Sequence, residues 1–214
     1  MSRAPNTDVR RAQIVEAMVR VVAREGYERA TVQEVARAAG LAPGLVHYHF
    51  KRKLDVLLAM QEALVARHLE RVARWMARAD DAAGRVHAFV DCHLARGAEE
   101  DPDALACWIA LTAEALREPE VRAGHDRAVR SMVGSLEGAA RDALAAKGRD
   151  PGEARAVATA VFAAIQGYYA LHGASPGLIP PGSAAPAVHQ LAASLLGEQS
   201  RDDARRAGNT RRKP

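Results

Sequence analysis

The chain has 214 residues, 49% of them hydrophobic, and a formal net charge of +4, so it is long enough for one or two domains with a sizeable core. Its two cysteines, Cys92 and Cys107, are too few for a disulfide framework and fit a reducing compartment. No apolar run approaches a bilayer span and the first residues are polar rather than signal-like, so the expected location is the cytoplasm, without membrane contact. Alanine dominates the hydrophobic residues and no alternating pattern persists, which predicts an all-α fold.

The charge is unevenly spread. Residues 1–53 carry net +5, residues 54–200 net −5 and residues 201–214 net +4. A basic head on an acidic body suits a chain that meets a polyanion through one end.

The first helix is expected near residues 8–25, with Ile14, Ala17, Met18, Val21 and Val22 as its apolar stripe and Gly26 as its stop. Thr31 and Glu34 have capping-box spacing at the start of a second helix, and Val32, Val35, Ala36 and Ala39 form its apolar face. Gly40 stands where that helix must end, a position that often needs positive φ. Pro43 suits the first turn of a third helix. Leu41, Val46 and Phe50 can face inward, which leaves Pro43, Gly44, Leu45, His47, Tyr48 and His49 outward. Lys51, Arg52 and Lys53 follow at the start of a fourth helix, where cations and free N–H groups favour phosphate. This is the layout of a helix-turn-helix, whose second helix enters the major groove.

The fourth helix is expected over about residues 52–79, carrying Leu54, Leu57, Leu58, Leu64, Leu69, Val72, Trp75 and Met76. A fifth is expected over 81–95, a sixth from the Asp101 cap and Pro102, and a seventh from Pro119 to near Gly148. Asp150-Pro151-Gly152-Glu153 opens an eighth, reaching about His172. Residues 175–183 are a loop by their Pro and Gly content, and Ser183 is the expected cap of a ninth helix ending at Gly197. From Glu198 the chain is basic and polar, and disorder is expected.

Small residues on the eighth helix (Ala156, Ala160, Ala163, Ala164, Gly167) and a stripe on the ninth (Val188, Leu191, Ala192, Leu195) suit a four-helix contact between two copies of the chain. Trp75, Phe89, His93, Trp108, Phe162 and Tyr169, with Thr112 and Gln166 as polar neighbours, are candidates for lining a small-molecule pocket; plain core is the competing reading. His47 and His49 lack a third residue at metal-ligand spacing, and no metal or other cofactor is expected. Asp91, Cys92 and His93 point to different faces of one helix and do not form a thiol relay; with no nucleophile elbow or phosphate loop, no enzyme activity is expected.

The segment 31–53, TVQEVARAAGLAPGLVHYHFKRK, resembles the DNA-binding domain of the TetR family of bacterial transcriptional repressors. The match lies at Thr31, Val35, Ala36, Ala39, Gly40, Leu41, Gly44, Val46, His49, Phe50 and Lys53, about the first quarter of the chain with its flanking helices. Three positions depart from the pattern: Ala42 replaces the usual Ser or Thr cap, Leu45 a small or hydroxylated residue, and His47 an aromatic. The segments CWIALTAEALREPEVR and AIQGYYALHG look like the ligand domain of the family's choline-responsive branch.

The resemblance implies a DNA-binding domain over 1–53, a ligand-binding and dimerisation domain over 54–197, and a basic tail over 198–214. It implies a homodimeric repressor that binds a palindromic double-stranded operator and is released by a small-molecule inducer. The candidate DNA contacts are Thr31, Pro43, Gly44, Leu45, His47, Tyr48, His49, Lys51, Arg52 and Lys53. Tyr48 and Lys53 by family position, and Lys51 and Arg52 by charge, are the expected phosphate contacts. Pro43 and Leu45 are expected to read thymine methyls, and His47 a base edge. The alternative is a helical dimeric scaffold without sequence-specific DNA binding, which the loss of the cap at Ala42 would favour.

Overall fold

The computed structural model describes residues 4–94, 101–175 and 177–198. Among them are nine α-helices and no strand: α1 Ala4–Glu25, α2 Val32–Ala39, α3 Pro43–His49, α4 Lys53–Met76, α5 Ala82–Leu94, α6 Pro102–Glu114, α7 Pro119–Ala146, α8 Ala154–Ala174 and α9 Ala184–Leu195. The all-α expectation holds, with ends moved by a few residues, as fraying and caps dictate. Residues 199–214, most of the expected disordered tail, lie outside the described residues.

Two compact units divide the chain, residues 1–69 with 98–129, and residues 70–97 with 130–214. The core of the first unit joins the N-terminal helices to α6 and the start of α7. Ile14, Met18, Val21, Val35, Val46, Leu57 and Met60 pack in one cluster with Cys107 and Leu111 of α6 and Val121 of α7. Without α6 that core would be open on one side.

Within this unit α1 ends at Gly26, whose φ of 80° admits only a residue without a Cβ penalty. Thr31 Oγ1 accepts from Glu34 N at 3.1 Å and caps α2. The reciprocal half of the expected capping box is absent: Glu34 turns to Arg37, and Thr31 N donates to Arg29 O instead. Gly40 has a φ of 65°, and Leu41 N closes on Ala36 O at 2.9 Å, a Schellman end. Asp101 Oδ1 caps α6 by accepting from Ala104 N. Buried Gln61 of α4 donates Nε2 to Val121 O at 3.1 Å, and a Cβ on Gly124 would stand 2.4 Å from Gln61 Oε1, so any larger residue there must displace the Gln61 amide.

The second unit is built on α5, α8 and α9, each packed on the other two, with the later part of α7. Val86, Phe89 and Val90 of α5, Val161, Phe162 and Ile165 of α8, and Val188, Ala192 and Leu196 around α9 are its buried residues, with Leu136 and Leu144 of α7. Asp81 Oδ1 accepts from Gly84 N at 2.6 Å and starts α5. Asp150 caps a 3₁₀ turn, Pro151–Glu153, and α8 begins only after it. Ser183 does not cap α9 as expected: its hydroxyl donates to Pro180 O at 2.8 Å and ties the preceding loop.

Candidate nucleic-acid interface

The third helix is only seven residues long and cannot stand alone. It is held from behind. Val46 and Phe50 are buried in the first unit's core, and the Phe50 N–H closes the helix on Val46 O at 2.9 Å. Three side chains of α1 satisfy the carbonyl ends of the two short helices. Arg11 Nη1 donates to His49 O at 2.7 Å, Gln13 Nε2 to Ala39 O at 2.7 Å, and Arg20 Nη2 to Ala38 O at 2.8 Å. The Arg11 guanidinium also lies 4.1 Å from the centre of the Phe50 ring. Cations at C-terminal carbonyls are favoured by the helix dipole as well as by hydrogen bonding. Sequence reading missed these braces, because the partners lie 18 to 38 residues apart.

The outward face of α3 carries Pro43, Gly44, His47 and Tyr48, all exposed; Tyr48 reaches 66% exposure. Leu45 and His49 are half-buried beside them, and Thr31, also exposed, keeps its oxygen on Glu34 N. The extended Ala42 offers no side-chain cap, so the N–H groups at the start of α3 lack that partner.

The three cations after α3 have three different fates. Lys51 is exposed and forms no ion pair among the described residues. Arg52 is held between two carboxylates, with Nη2 2.6 Å from Asp55 Oδ1 and Nη1 3.0 Å from Glu120 Oε1. Its hydrogen bonds hold the Asp55 and Glu120 carboxyls below their usual range. Lys53 turns inward: Nζ donates to Tyr27 O at 2.9 Å and sits 4.0 Å from the centre of the Tyr27 ring, and burial lowers the ammonium's pKa. Lys53 thus closes the turn after α1, while the family position marks it as an expected phosphate contact. The ammonium finds a carbonyl and a ring at the distances that best replace water.

The expected pocket residues fall into both units. Trp108 and Thr112 belong to the first. Trp108 stacks on His125 at 4.5 Å, and exposed Thr112 donates back to Trp108 O at 2.9 Å, so its hydroxyl serves its own helix. Burial lowers the His125 pKa, which keeps that ring neutral more readily. Trp75, Phe89, His93, Phe162, Gln166 and Tyr169 belong to the second. Phe89, wholly buried, and Phe162, nearly so, are core rather than open wall, and His93 lies 4.3 Å from the Phe89 ring. His93 Nδ1 donates to Phe89 O at 2.7 Å, and Tyr169 donates its hydroxyl to His93 O at 3.0 Å. Burial pushes the Tyr169 hydroxyl pKa well up, so it stays a neutral donor. Half-buried Trp75 has Arg78 5.7 Å from its ring centre. Cys107 is inert, its thiol pushed up to about 12 by burial.

The expected contact between copies is also redistributed. Ala156, Ala163 and Gly167 of α8 are exposed and Ala160 and Ala164 half-buried, with Leu171 continuing the strip at 43% exposure. On α9, Val188 and Ala192 are buried inside the chain, against the expectation that they face a second copy. That stripe is used up against α5 and α8, which leaves Leu191, with Leu195 half-buried beside it.

The sequence and the fold are both similar to those of known proteins. The profile of bacterial regulatory proteins of the tetR family matches residues 14–60, and that of the BetI-type transcriptional repressor C-terminal region matches residues 82–197. The HTH-type transcriptional regulator BetI of Rhizobium meliloti (strain 1021) is 33% identical over 114 residues, 53% of this chain and 56% of that protein. The chain thus spans about half the length of the curated relatives it matches. A transcriptional regulator of Pseudomonas aeruginosa PAO1 superposes with a TM-score of 0.77 at 22% identity, covering 89% of this chain and 91% of its own. One from Saccharomonospora viridis, solved with choline, gives 0.73 at 23% identity, covering 88% and 96%. At such identities the two structures speak for the fold. The family profiles, which together take in the braced helix-turn-helix and more than half of the chain beyond it, speak for descent: the chain belongs to the TetR family of bacterial transcriptional regulators, with a C-terminal region of the BetI repressor type.

Proposed function

We propose that the chain represses transcription by binding duplex DNA as a homodimer, with α3 in the major groove, and that a small molecule releases it. The observation that supports this reading is the outward face of α3. A seven-residue helix is anchored on its inner side by buried Val46 and Phe50 and by Arg11 at its C-terminal carbonyl, and left bare on the other, with Pro43, Gly44, His47 and Tyr48 exposed beside Lys51. The exposed strip Ala156, Ala163, Gly167 and Leu171 of α8, with Leu191 of α9, supports a self-complementary contact, and two such subunits read a palindrome. The family comprises transcriptional regulators rather than enzymes.

For the released state we propose a small quaternary ammonium compound as inducer, choline first. The C-terminal region is of BetI type, and the structural neighbour from Saccharomonospora viridis is a choline complex. Aromatic faces such as Trp75 and Tyr169 suit a cation that cannot be met by a hydrogen bond. The ligand must favour the conformation that does not bind DNA, and its coupling is typically about 1–3 kcal/mol.

Fluorescence anisotropy with the promoter region beside the protein's own gene tests the reading. Nanomolar binding that weakens with salt, and that choline but not its uncharged isostere 3,3-dimethyl-1-butanol reverses, supports it. Equal, weak binding to unrelated duplexes would instead favour a dimeric helical scaffold, the reading that the uncapped Ala42 and the engaged Arg52 and Lys53 favour.

A further inference from the structure

A line of four titratable side chains ties α9 to α5 in the second unit. Asp91 Oδ1 stands 2.6 Å from His189 Nε2, His189 Nδ1 stands 2.6 Å from His87 Nδ1, and His87 Nε2 stands 3.3 Å from Glu198 Oε2. His87 and Asp91 lie one turn apart on α5, His189 lies on α9, and Glu198 follows α9. All four side chains are between 25% and 37% exposed, so the line is sheltered but within reach of water.

Counting protons shows what this line requires. Three contacts between potential donors and acceptors need three protons. Two neutral imidazoles hold two. Ionised carboxylates only accept, so Asp91 takes the proton on His189 Nε2 and Glu198 takes the one on His87 Nε2. The two Nδ1 atoms then face each other with two lone pairs and no proton between them, at a distance that fits only a shared one. Placing the missing proton on Glu198 is disfavoured, because Nζ of Lys147, the residue after α7, stands 3.2 Å from Glu198 Oε1 and favours the carboxylate.

We propose that His87 and His189 share a single proton between Asp91 and Glu198, and that this proton-bound pair is a pH-sensitive clasp seating α9 on α5. The other charged groups of these elements are engaged elsewhere. Arg85 of α5 pairs with Asp142, Arg149 pairs with Glu153 and donates to Leu195 O, and Tyr169 of α8 is bound to His93 O. The linkage follows from the single held proton. At pH below the ordinary imidazole range the unfolded chain binds two protons where the clasp holds one, so stability rises with pH; at pH above that range the unfolded chain binds none where the clasp holds one, so stability falls with pH. The clasp therefore stabilises most around the ordinary imidazole value of about 6.5. Because α9 also carries exposed Leu191, any surface formed on its outer side inherits that optimum. The inference does not depend on DNA binding.

The test is the thermal midpoint of the full chain from pH 5 to pH 9 for wild type, His189→Gln and His87→Gln. The wild-type advantage over either variant should pass through a maximum and fall by about 2–4 °C on each side, the shift expected per kcal/mol for a chain of this size. A flat difference would overturn the proposal. Imidazole nitrogen-15 spectra of the wild type give a second reading that no folding defect can confuse. Three protons over the four nitrogens of His87 and His189 at the optimum support the clasp; two neutral rings throughout the range would sink it.

Discussion

Lys51, Arg52 and Lys53 are adjacent in sequence, yet only Lys51 is left to meet a phosphate without giving something up. Arg52 would have to leave Glu120, an exposed and solvent-screened pair that is cheap to break. Lys53 would have to leave the Tyr27 carbonyl and ring. Lys51→Ala should therefore lower the salt slope of DNA binding by about one unit, as one lost phosphate contact does. Lys53→Ala should instead lower the thermal midpoint, with the slope little changed. Binding titrations at four salt concentrations beside a melting curve decide this; a slope that drops for Lys53→Ala alone would return that residue to the DNA. Leu45 is the other single residue with a readable role. α3 has no Arg, Lys, Asn or Gln, so under the proposed function apolar contact to thymine methyls would have to carry discrimination. Leu45→Ala should cost roughly 1 kcal/mol at one T·A pair, by the scale of apolar burial. Replacing each operator thymine by uracil measures it, and no effect at any position removes Leu45 from base reading.

At the scale of the element, the weak point is the start of α3. Ala42 has the extended backbone of an N-cap, φ −70° and ψ 142°, and lacks only the oxygen. Ala42→Ser should stabilise the helix by about 1 kcal/mol, since capping residues are worth that much over alanine. The thermal midpoint should rise by about 2–4 °C. A fall would mean that the site cannot admit the hydroxyl, and that alanine was chosen for space. The motif 31–53 was legible because each position answers a local demand: Thr31 caps, Gly40 takes positive φ, Pro43 opens, and Val46 and Phe50 face inward. The braces Arg11, Gln13 and Arg20 were not legible, because a polar residue on an exposed helix face has no local reason to choose one distant carbonyl.

For the whole molecule, assembly is the property with the clearest test. Leu191 remains on the outer side of α9, while Val188 and Ala192 are spent on the core. Leu191→Glu should leave each subunit folded, halve the mass in solution and remove tight binding to a palindrome while sparing weak binding to a half-site. Light scattering with circular dichroism checks this. An unchanged dimer that still binds the palindrome would place the contact away from α9.

The sequence alone determined the all-helical architecture, the helix-turn-helix and most of its outward residues, because caps, glycines and 3.6-residue spacing act over one or two turns. It also separated a basic head from an acidic body. Tertiary structure decided the rest. It drew α6 into the core of the helix-turn-helix unit, sent Lys53 to Tyr27 and Arg52 to Glu120, buried Val188 and Ala192, and brought His87 against His189 across 102 residues of chain. The reason is common to all of these. An apolar or charged side chain specifies that it needs a partner, while which partner it finds depends on how whole helices pack, and that choice is made by the sum of many contacts rather than by any one residue.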